Sequence, residues 1–379
     1  MIAKEQDSAP GPLRILMTTD AVGGVWQYSL DLSQQLTQAG FKILLATLGP
    51  SPSRAQQLEA KAIPGLTLAE AAYGLEWMPG AWADVDASGK WLLDLQSTFD
   101  ADVIHLNGYS HAVLPWKKPV LVTAHSCVRS WWRAVHGCAP DGDWDEYTAR
   151  VRKGLNACDR VVAPSTHMAD CIRDEYGVPQ EKISVIRNFS HTAPASRIPK
   201  APFILAAGRI WDPAKNLAML DEIAGELDWD ICIAGSAQQQ ERGAAGFCNC
   251  TCLGALPHSD MLEQMASAAI FAHPALYEPF GLAVLEAARA RCCLVLSDIP
   301  SLRELWDGAA VFLPPRDAQR WKHELNALAR DSRRRADLGE RAQAHAAQYT
   351  AHASVQEYIE LYRALTGDTA APAAKGAVA

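Results

Sequence analysis

The sequence predicts an α/β protein built from two doubly wound parallel-sheet domains that face each other across a cleft. The first observation is length, because 379 residues are more than one hydrophobic core usually holds. The second is an alternation of apolar runs of strand length with helical patterns, which indicates parallel strands buried on both faces and joined by helical crossovers. The third is a single Pro-rich interruption of this alternation, at residues 190–202.

The first domain is predicted at residues 12–192. A helical stretch after its first strand ends at Gly40, a typical stop for a helix. Its strand candidates are short, rich in Val, Ile and Leu, and separated by helical patterns, as in a doubly wound sheet. They are residues 14–20, 42–49, 102–107, 119–125, 160–165 and 182–188.

The second domain is predicted at residues 203–348, after the linker. Its strand candidates are residues 203–208, 230–235, 270–275, 293–298 and 310–315. The following segment, 349–367, is helical with no strand after it, so we expect it to pack back on the first domain. The small, low-complexity residues of 368–379 predict a disordered tail.

Composition excludes several classes of protein. A net charge of −8 offers no broad basic surface, so we expect no nucleic-acid partner. The sequence has no run of 18 uncharged apolar residues, and residues 1–11 lack the apolar centre of a signal peptide, which together predict a cytoplasmic protein. A basic cluster at Arg330–Arg335 is either a solvated helix face or a point of attachment to an anionic membrane surface.

The ten cysteines form no spaced framework, so reduced thiols are expected. Cys248, Cys250 and Cys252 alternate with other residues, and a strand there would place the three sulfurs on one face. Zinc sites favour C-x-x-C spacing and a fourth ligand, and neither is evident. No metal site is therefore predicted.

Polar residues follow several predicted strands, at the sheet edge where open α/β folds bind ligands. Gly23 and Gly24 come after the first strand and open a helix, where bare backbone N–H groups can approach an anion. An ordinary strand–helix turn would explain the pair as well. Arg209 and Lys215 follow the strand after the linker, and two cations at that position suit a diphosphate. Surface salt bridges are the alternative.

Two glutamates, Glu278 and Glu286, are eight residues apart around the predicted start of a helix near Gly281. Allowing for the loop, we expect their carboxylates about 10 Å apart, with Glu286 in the second helical turn and facing the cleft. That separation matches the two hydroxyl-bearing ends of a sugar nucleotide, whose phosphates would lie near the helix N-terminus. Two surface glutamates on one helix remain the simpler interpretation.

These motifs, in this order, resemble those of the retaining GT-B glycosyltransferases of family GT4. EPFGLAVLEAARARCCLVLSD resembles the family's E-x7-E segment, GRIWDPAKN its phosphate motif, and TTDAVGGV its N-terminal glycine loop. The resemblance extends from about residue 13 to residue 365. It implies a GT-B fold of two Rossmann-like domains and transfer of a hexose from a nucleotide diphosphate sugar to an acceptor hydroxyl, with retention of configuration. The implied acceptor is a glycan or lipid-linked glycan, in polysaccharide or glycoconjugate biosynthesis.

The resemblance also assigns roles. Glu286 would bind the ribose hydroxyls, Glu278 the hexose, and Arg209 and Lys215 the departing diphosphate. Backbone N–H groups of the segment that opens the helix would contact the donor, the two glycines would border its phosphates, and a strand-end histidine would lie near the hexose. These residues are Phe280, Gly281 and Leu282, then Gly23 and Gly24, and His125. No cofactor is expected beside the donor substrate.

The sequence departs from the family's pattern at Arg291, where a glycine is usual, at Cys292–Cys293 and in the bulky Trp211–Pro213 loop. Other functions stay open. One is a phosphorylase or an epimerase on the same architecture, and another is a catalytically silent scaffold that binds nucleotide or glycan. Trp131 and Trp132 could stack on an acceptor sugar or pack in the core.

Overall fold

A computed structural model describes residues 12–191, 199–236 and 247–367. The tail predicted at 368–379, residues 1–11 and most of the predicted linker lie outside the described residues. Two parallel sheets are present, with seven and six strands. The predicted pair of doubly wound α/β domains is therefore confirmed.

The first sheet has the strand order β3-β2-β1-β4-β5-β6-β7, and all of its pairs are parallel. Its strands are β1 (Arg14–Asp20), β2 (Lys42–Leu48), β3 (Leu66–Glu70), β4 (Val103–Leu106), β5 (Val120–Thr123), β6 (Arg160–Ala163) and β7 (Ile183–Val185). Its helices are α1 (Gly24–Gln38), α2 (Arg54–Lys61), α3 (Trp82–Phe99), α4 (Val128–His136), α5 (Asp145–Ala157) and α6 (Thr166–Tyr176). The edge strand β3 was not predicted, because it is half-exposed and lacks a continuous apolar run.

The second sheet has the order β10-β9-β8-β11-β12-β13, also parallel. Its strands are β8 (Ala201–Ala207), β9 (Ile231–Ala234), β10 (Thr251–Gly254), β11 (Ala268–His273), β12 (Cys293–Ser297) and β13 (Val311–Leu313). Its helices are α7 (Leu217–Ala224), α8 (His258–Ser267), α9 (Leu282–Arg289), α10 (Pro300–Trp306), α11 (Ala318–Arg330) and α12 (Ser332–Ala346). The exposed edge strand β10 was not predicted, and β8 begins inside the segment that the sequence assigned to the linker.

Both sheets reverse their strand order beside their first strand, between β1 and β4 and between β8 and β11. Ligand clefts of open α/β folds lie at such points, outside the carboxyl ends of the strands. Each sheet is covered by helices on both faces, and its strands are buried in two apolar clusters. The fold thus places both switch points on a shared cleft.

The two domains touch directly around the cleft. Ser165 Oγ donates to the Pro279 carbonyl at 2.7 Å, and the Glu304 carboxylate accepts the N–H groups of Thr166 and His167 at 2.8 Å. Because Glu304 lies on α10 and its donors open α6, an acid of one domain caps a helix of the other. These contacts join the two domains beside the cleft.

The final helix, α13 (Ala351–Thr366), packs on α1 and β4 of the first domain. The Tyr358 hydroxyl bonds to the Tyr28 hydroxyl at 2.6 Å, and the Tyr362 hydroxyl to His105 Nδ1 at 2.7 Å. All four side chains are buried, so the chain returns to its first domain through a hydrogen-bonded aromatic cluster.

Candidate active site

A cavity of about 610 Å³ lies between the carboxyl ends of the two sheets. We call it the interdomain cavity. All of the predicted site residues except Glu286 line it: Gly23, Gly24, His125, Arg209, Lys215, Glu278, Phe280, Gly281 and Leu282. Residues far apart in the sequence therefore meet in one place.

The glycine loop of the first domain lies against the second domain. Gly23 has φ of 136°, and a Cβ there would lie 3.4 Å from Arg209 Nη1. A Cβ at Gly24 would lie 3.8 Å from Leu282 Cδ1. Positive φ and close approach together require glycine at position 23. The loop is thus more than a strand–helix turn, since it forms one wall of the cavity.

The two predicted cations each have an acid partner. Arg209 Nη2 lies 2.6 Å from Asp212 Oδ2, and its buried Nε has no partner among the described residues. Lys215 Nζ lies 2.7 Å from Glu278 Oε2, and the two side chains are only 16% and 13% exposed. The Lys215–Glu278 pair is therefore buried in the site, which disfavours the surface salt-bridge alternative for Lys215.

Glu278 receives a second donor, His273, whose Nε2 lies 3.1 Å from Oε2. Burial would raise the pKa of Glu278, but the charge of Lys215 and the hydrogen bond from His273 outweigh it and hold the pKa well below its usual range. The carboxylate is thus ionised, with Oε1 left for a ligand. Sequence reasoning missed His273, although it ends β11 as His125 follows β5, and that shared position could have revealed it.

The segment that opens α9 presents its backbone to the cavity. Gly281 has φ of 86°, and a Cβ there would lie 3.1 Å from Val284 Cγ2. The Phe280 side chain is buried and packs edge-on against Tyr349, with ring centroids 5.6 Å apart. The ring of Phe280 is therefore turned into the core, and its backbone borders the cavity. The helix N-terminus adds a partial positive charge.

Glu286 is not brought into the cavity. It lies in the second turn of α9, as predicted, but its side chain is 7% exposed and its Oε1 accepts a 2.8 Å hydrogen bond from His258 Nε2. Although burial lowers the pKa of His258, the hydrogen bond and charge of Glu286 raise it above its ordinary value. Glu286 is therefore held by α8 beside the first domain, close enough to Asp31 of α1 to raise the pKa of that residue, although it does not line the interdomain cavity.

His125 is held in one tautomer. Asn107 donates from Nδ2 to the Thr18 carbonyl at 2.6 Å, which turns its Oδ1 toward His125 Nε2 at 2.8 Å. Nε2 must then carry the hydrogen, and Nδ1 keeps a lone pair. Burial lowers the pKa of His125 to about 3, so the ring is neutral near pH 7. A neutral histidine can accept a hydrogen bond from a sugar hydroxyl.

Other predictions have mixed outcomes. Trp131 and Trp132 line a second cavity, described below. In the basic cluster, Arg330 pairs with Asp228, Arg334 with Glu324, and Arg335 covers the Trp229 ring, so these charges already have partners. The short strand β10 contains Cys252 but neither Cys248 nor Cys250, so the three cysteines do not share one strand.

The described residues contain neither a cluster suited to a metal ion nor a helix suited to spanning a membrane. Across residues 12–191, 199–236 and 247–367, no cluster of three His, Cys, Asp or Glu side chains has the geometry of a metal site. Over the same ranges, no helix combines the length and the apolar character that crossing a bilayer demands.

Comparison with known proteins assigns both domains. Residues 22–193 match the model described as Glycosyltransferase Family 4, and residues 192–345 match that of Glycosyl transferases group 1. The chain is similar to the O-antigen chain mannosyltransferase RfbU of Salmonella typhimurium, with 26% identity over 229 residues. That match covers 55% of this chain and 64% of RfbU, just under two thirds of its length.

Solved structures share the whole fold. Sucrose-phosphate synthase from Thermosynechococcus elongatus superposes with a TM-score of 0.78 at 17% identity, over 94% of this chain and 100% of that one. HepE from Anabaena, solved in complex with UDP-glucose, gives a TM-score of 0.70 at 16% identity, over 93% and 100%. The paired sheets, the cavity between them and both family models agree: the chain belongs to the family 4 glycosyltransferases of the GT-B fold.

Proposed function

We propose that the protein transfers a hexose from a nucleotide diphosphate sugar to an acceptor hydroxyl with retention of anomeric configuration, in polysaccharide or glycoconjugate biosynthesis. The observation that carries the proposal is the composition of the interdomain cavity. One wall is the glycine loop of the first domain, and the opposite wall holds Arg209, Lys215, Glu278 and the start of α9. The names of RfbU and HepE, which mention a mannosyltransferase and UDP-glucose, support a nucleotide-sugar donor.

The diphosphate would lie between Arg209, Lys215 and the N-terminus of α9. Arg209 has a buried Nε–H without a partner among the described residues, which is a donor available to a phosphate oxygen. Gly23 leaves room for that oxygen because a side chain there would meet the guanidinium. Two cations and a helix dipole would then stabilise charge that grows on the leaving group, where preorganised electrostatics is most effective.

The hexose would lie between Glu278 and His125. Glu278 Oε2 is occupied by Lys215 and His273, so Oε1 is the oxygen that would accept sugar hydroxyls. His125 offers Nδ1 as a second acceptor from the other domain. Glu286 Oε1 accepts from His258, so Oε2 is the oxygen that would accept the ribose hydroxyls.

The transfer needs no side-chain nucleophile. The acceptor oxygen bonds to the anomeric carbon as the bond from that carbon to the phosphate oxygen breaks. The acceptor proton passes to the departing diphosphate on the same face, which balances charge and retains configuration. The ionised state of Glu278 supports a role in binding, because an acid held so far below its usual pKa does not donate a proton near pH 7.

The alternatives are separated by geometry or by assay. A silent scaffold that binds nucleotide would use the same buried lysine–glutamate pair, so it differs in failing to release nucleotide from a sugar donor. An epimerase needs acids or bases placed to abstract a sugar proton, whereas His125 is neutral with a depressed pKa and Glu278 is bound to a cation. A phosphorylase shares this architecture and is separated by its use of inorganic phosphate.

The test is nucleotide release from a panel of UDP-, GDP- and ADP-sugars, with and without inorganic phosphate and candidate acceptors. Lys215→Ala should lower turnover by about 10²–10³-fold, since one cation at the leaving group is worth several kcal/mol. Lys322→Ala is the matched control, because that lysine also lies 2.7 Å from a glutamate, Glu226, on the outside of the same domain. Equal activity of the two variants, or no nucleotide binding by the protein, would refute the proposal.

A further inference from the structure

A second cavity of about 350 Å³ opens beside the interdomain cavity, mostly within the first domain. The two cavities share a wall that includes Gly24, His125, Trp131 and Arg209. A group bound in the second cavity would therefore reach the position where the proposed donor places its hexose. The size lies within the range of small-molecule sites.

Aromatic side chains dominate the wall of the second cavity. Trp131 and Trp132 lie on α4 with ring centroids 6.0 Å apart, and Trp144 continues the surface at 6.1 Å from Trp132. Trp77 and Trp211 line the same space. The rings of Trp131, Trp132 and Trp144 are half-exposed, so they are not fully buried in the core and remain accessible to a ligand. Such flat apolar faces, beside polar groups, suit the C–H face of a pyranose ring.

The charges of this cavity disfavour an anion. Three carboxylates line it, those of Asp20, Glu76 and Asp212, against one cation among the described lining residues, Arg209. That guanidinium is paired with Asp212 and faces the interdomain cavity as well. A phosphate or carboxylate in this space would be repelled by the three carboxylates. The Arg209 guanidinium, which could attract it, is already paired with Asp212.

The three carboxylates differ in what they can still accept. Glu76 accepts the N–H groups of Tyr109 and Ser110, and Asp212 accepts from Trp131 Nε1, Ala214 N and Arg209.

Asp20 accepts only from Val22 N in the described structure, at 2.8 Å through Oδ1, which leaves Oδ2 open to the cavity. Burial raises the pKa of Asp20, so an additional hydroxyl donor would relieve its desolvation.

We propose that the second cavity is the acceptor site and that it binds an uncharged pyranose ring at the end of a glycan. The ring lies on the tryptophan surface of α4 and Trp144, and one of its hydroxyls donates to Asp20 Oδ2. This inference rests on the proposed glycosyl transfer, because it names the acceptor of that reaction. Asp20 is a specificity-determining residue here, since it selects a hydroxyl over an anionic group at the same position.

The first experiment measures binding without any donor. The protein's tryptophan fluorescence is titrated with methyl glycosides of glucose, galactose and mannose, and with methyl glucuronide, which differs from methyl glucoside by one carboxylate. We expect at least one neutral glycoside to change the fluorescence and to bind about tenfold more tightly than the glucuronide. Equal or tighter binding of the glucuronide, or no binding of any neutral glycoside, overturns the inference.

Variants locate the binding to this cavity. Trp132→Ala should weaken binding of the neutral glycoside about tenfold, whereas Trp229→Ala, a tryptophan beside Arg335 in the second domain, should leave it unchanged. Asp20→Asn keeps the acceptor for Val22 N–H but removes the negative charge. It should reduce the ratio of the affinities for neutral glycoside and glucuronide from about tenfold to about threefold, because Glu76 and Asp212 keep their charges, whereas mere loosening of the fold would weaken both ligands alike.

A second arm separates this inference from the proposed function. Binding of UDP, GDP and ADP is measured by calorimetry on the full chain and on Trp132→Ala. Nucleotide binding that is unchanged in the variant, together with the neutral preference, supports both proposals. Failure to bind any nucleotide would refute the transferase proposal. The fluorescence titration would still test whether the second cavity binds a neutral sugar.

Discussion

Asp31 gives a prediction whose size follows from the structure. It lies on α1, 5% exposed, with Oδ1 accepting from Gln27 Nε2 at 2.7 Å and Oδ2 buried without a partner in the described residues. Burial raises its pKa from near 3.8 to about 6. The charge of His191 and the bond from Gln27 oppose that rise, and the Glu286 carboxylate across the domain contact reinforces it.

The direction of the pH dependence of stability follows from the difference in the pKa of Asp31 between the folded and unfolded states. A carboxyl group whose pKa is higher in the folded state stabilises the fold below its unfolded pKa and loses that contribution as the pH rises through the folded value. The shift from 3.8 to about 6 corresponds to about 3 kcal/mol in full, of which about 2 kcal/mol falls between pH 4.5 and pH 7. Asp31→Asn removes the titration and keeps the shape. The free energy of unfolding of the variant, relative to the wild type, should therefore rise by about 2 kcal/mol over that interval.

The assay is urea unfolding of both proteins at several pH values, followed by tryptophan fluorescence. Comparing the difference across pH cancels any constant cost of placing an amide in the site. Asp94→Asn, an exposed carboxylate on α3, is the control and should show a difference that does not vary with pH. A flat difference for Asp31→Asn, or one that falls as the pH rises, would refute the reasoning.

Three further variants test separate contacts. His258→Ala should weaken binding of a nucleoside diphosphate a few-fold in calorimetry, because Glu286 loses the hydrogen bond that orients its carboxylate, and unchanged binding would contradict its proposed ribose role. Arg291 has φ of 63°, so Arg291→Gly should raise the free energy of unfolding by about 0.5 kcal/mol. A lower unfolding temperature in the variant would show that the backbone is not strained at this position. Tyr358→Phe removes a 2.6 Å bond to Tyr28 and should cost about 1 kcal/mol in the same assay, an unaltered unfolding temperature being the contrary result.

The fold was predictable wherever burial governs the sequence. β1, β2, β11 and β12 are almost wholly buried on both faces, and their continuous apolar runs were identified as strands within a residue or two of their ends. β3 and β10 lie at sheet edges with one side exposed, so no apolar run distinguishes them from loops. An edge strand is defined by its neighbour's hydrogen bonds, which a local pattern does not report.

The site was predictable where function depends on local backbone and not where it depends on partners. Gly281 and Gly23 are required by their positive φ, and a turn-forming pattern shows that from sequence. The pairing of Lys215 with Glu278 joins residues 63 apart, and that of Glu286 with His258 joins residues 28 apart. Tertiary contacts of this kind decide what a carboxylate binds, so the pairing of Glu286 with His258 could not be obtained from helix periodicity.

Arg209 and Lys215, the two cations of the interdomain cavity, are each paired with a carboxylate, and the pairing influences how they bind the donor. A lysine with 16% exposure would be destabilised without Glu278, and Arg209 is likewise held by Asp212. The pairs keep both cations in place before the donor arrives, so little reorganisation is needed when charge develops on the diphosphate. The same pairs compete with the phosphates, and the arriving donor must share each cation with its carboxylate. Glu278→Gln should therefore change the affinity for a nucleoside diphosphate as well as the selectivity for the hexose. A variant that loses only sugar selectivity, with nucleoside diphosphate affinity unchanged, would show that the cations act independently of their acids.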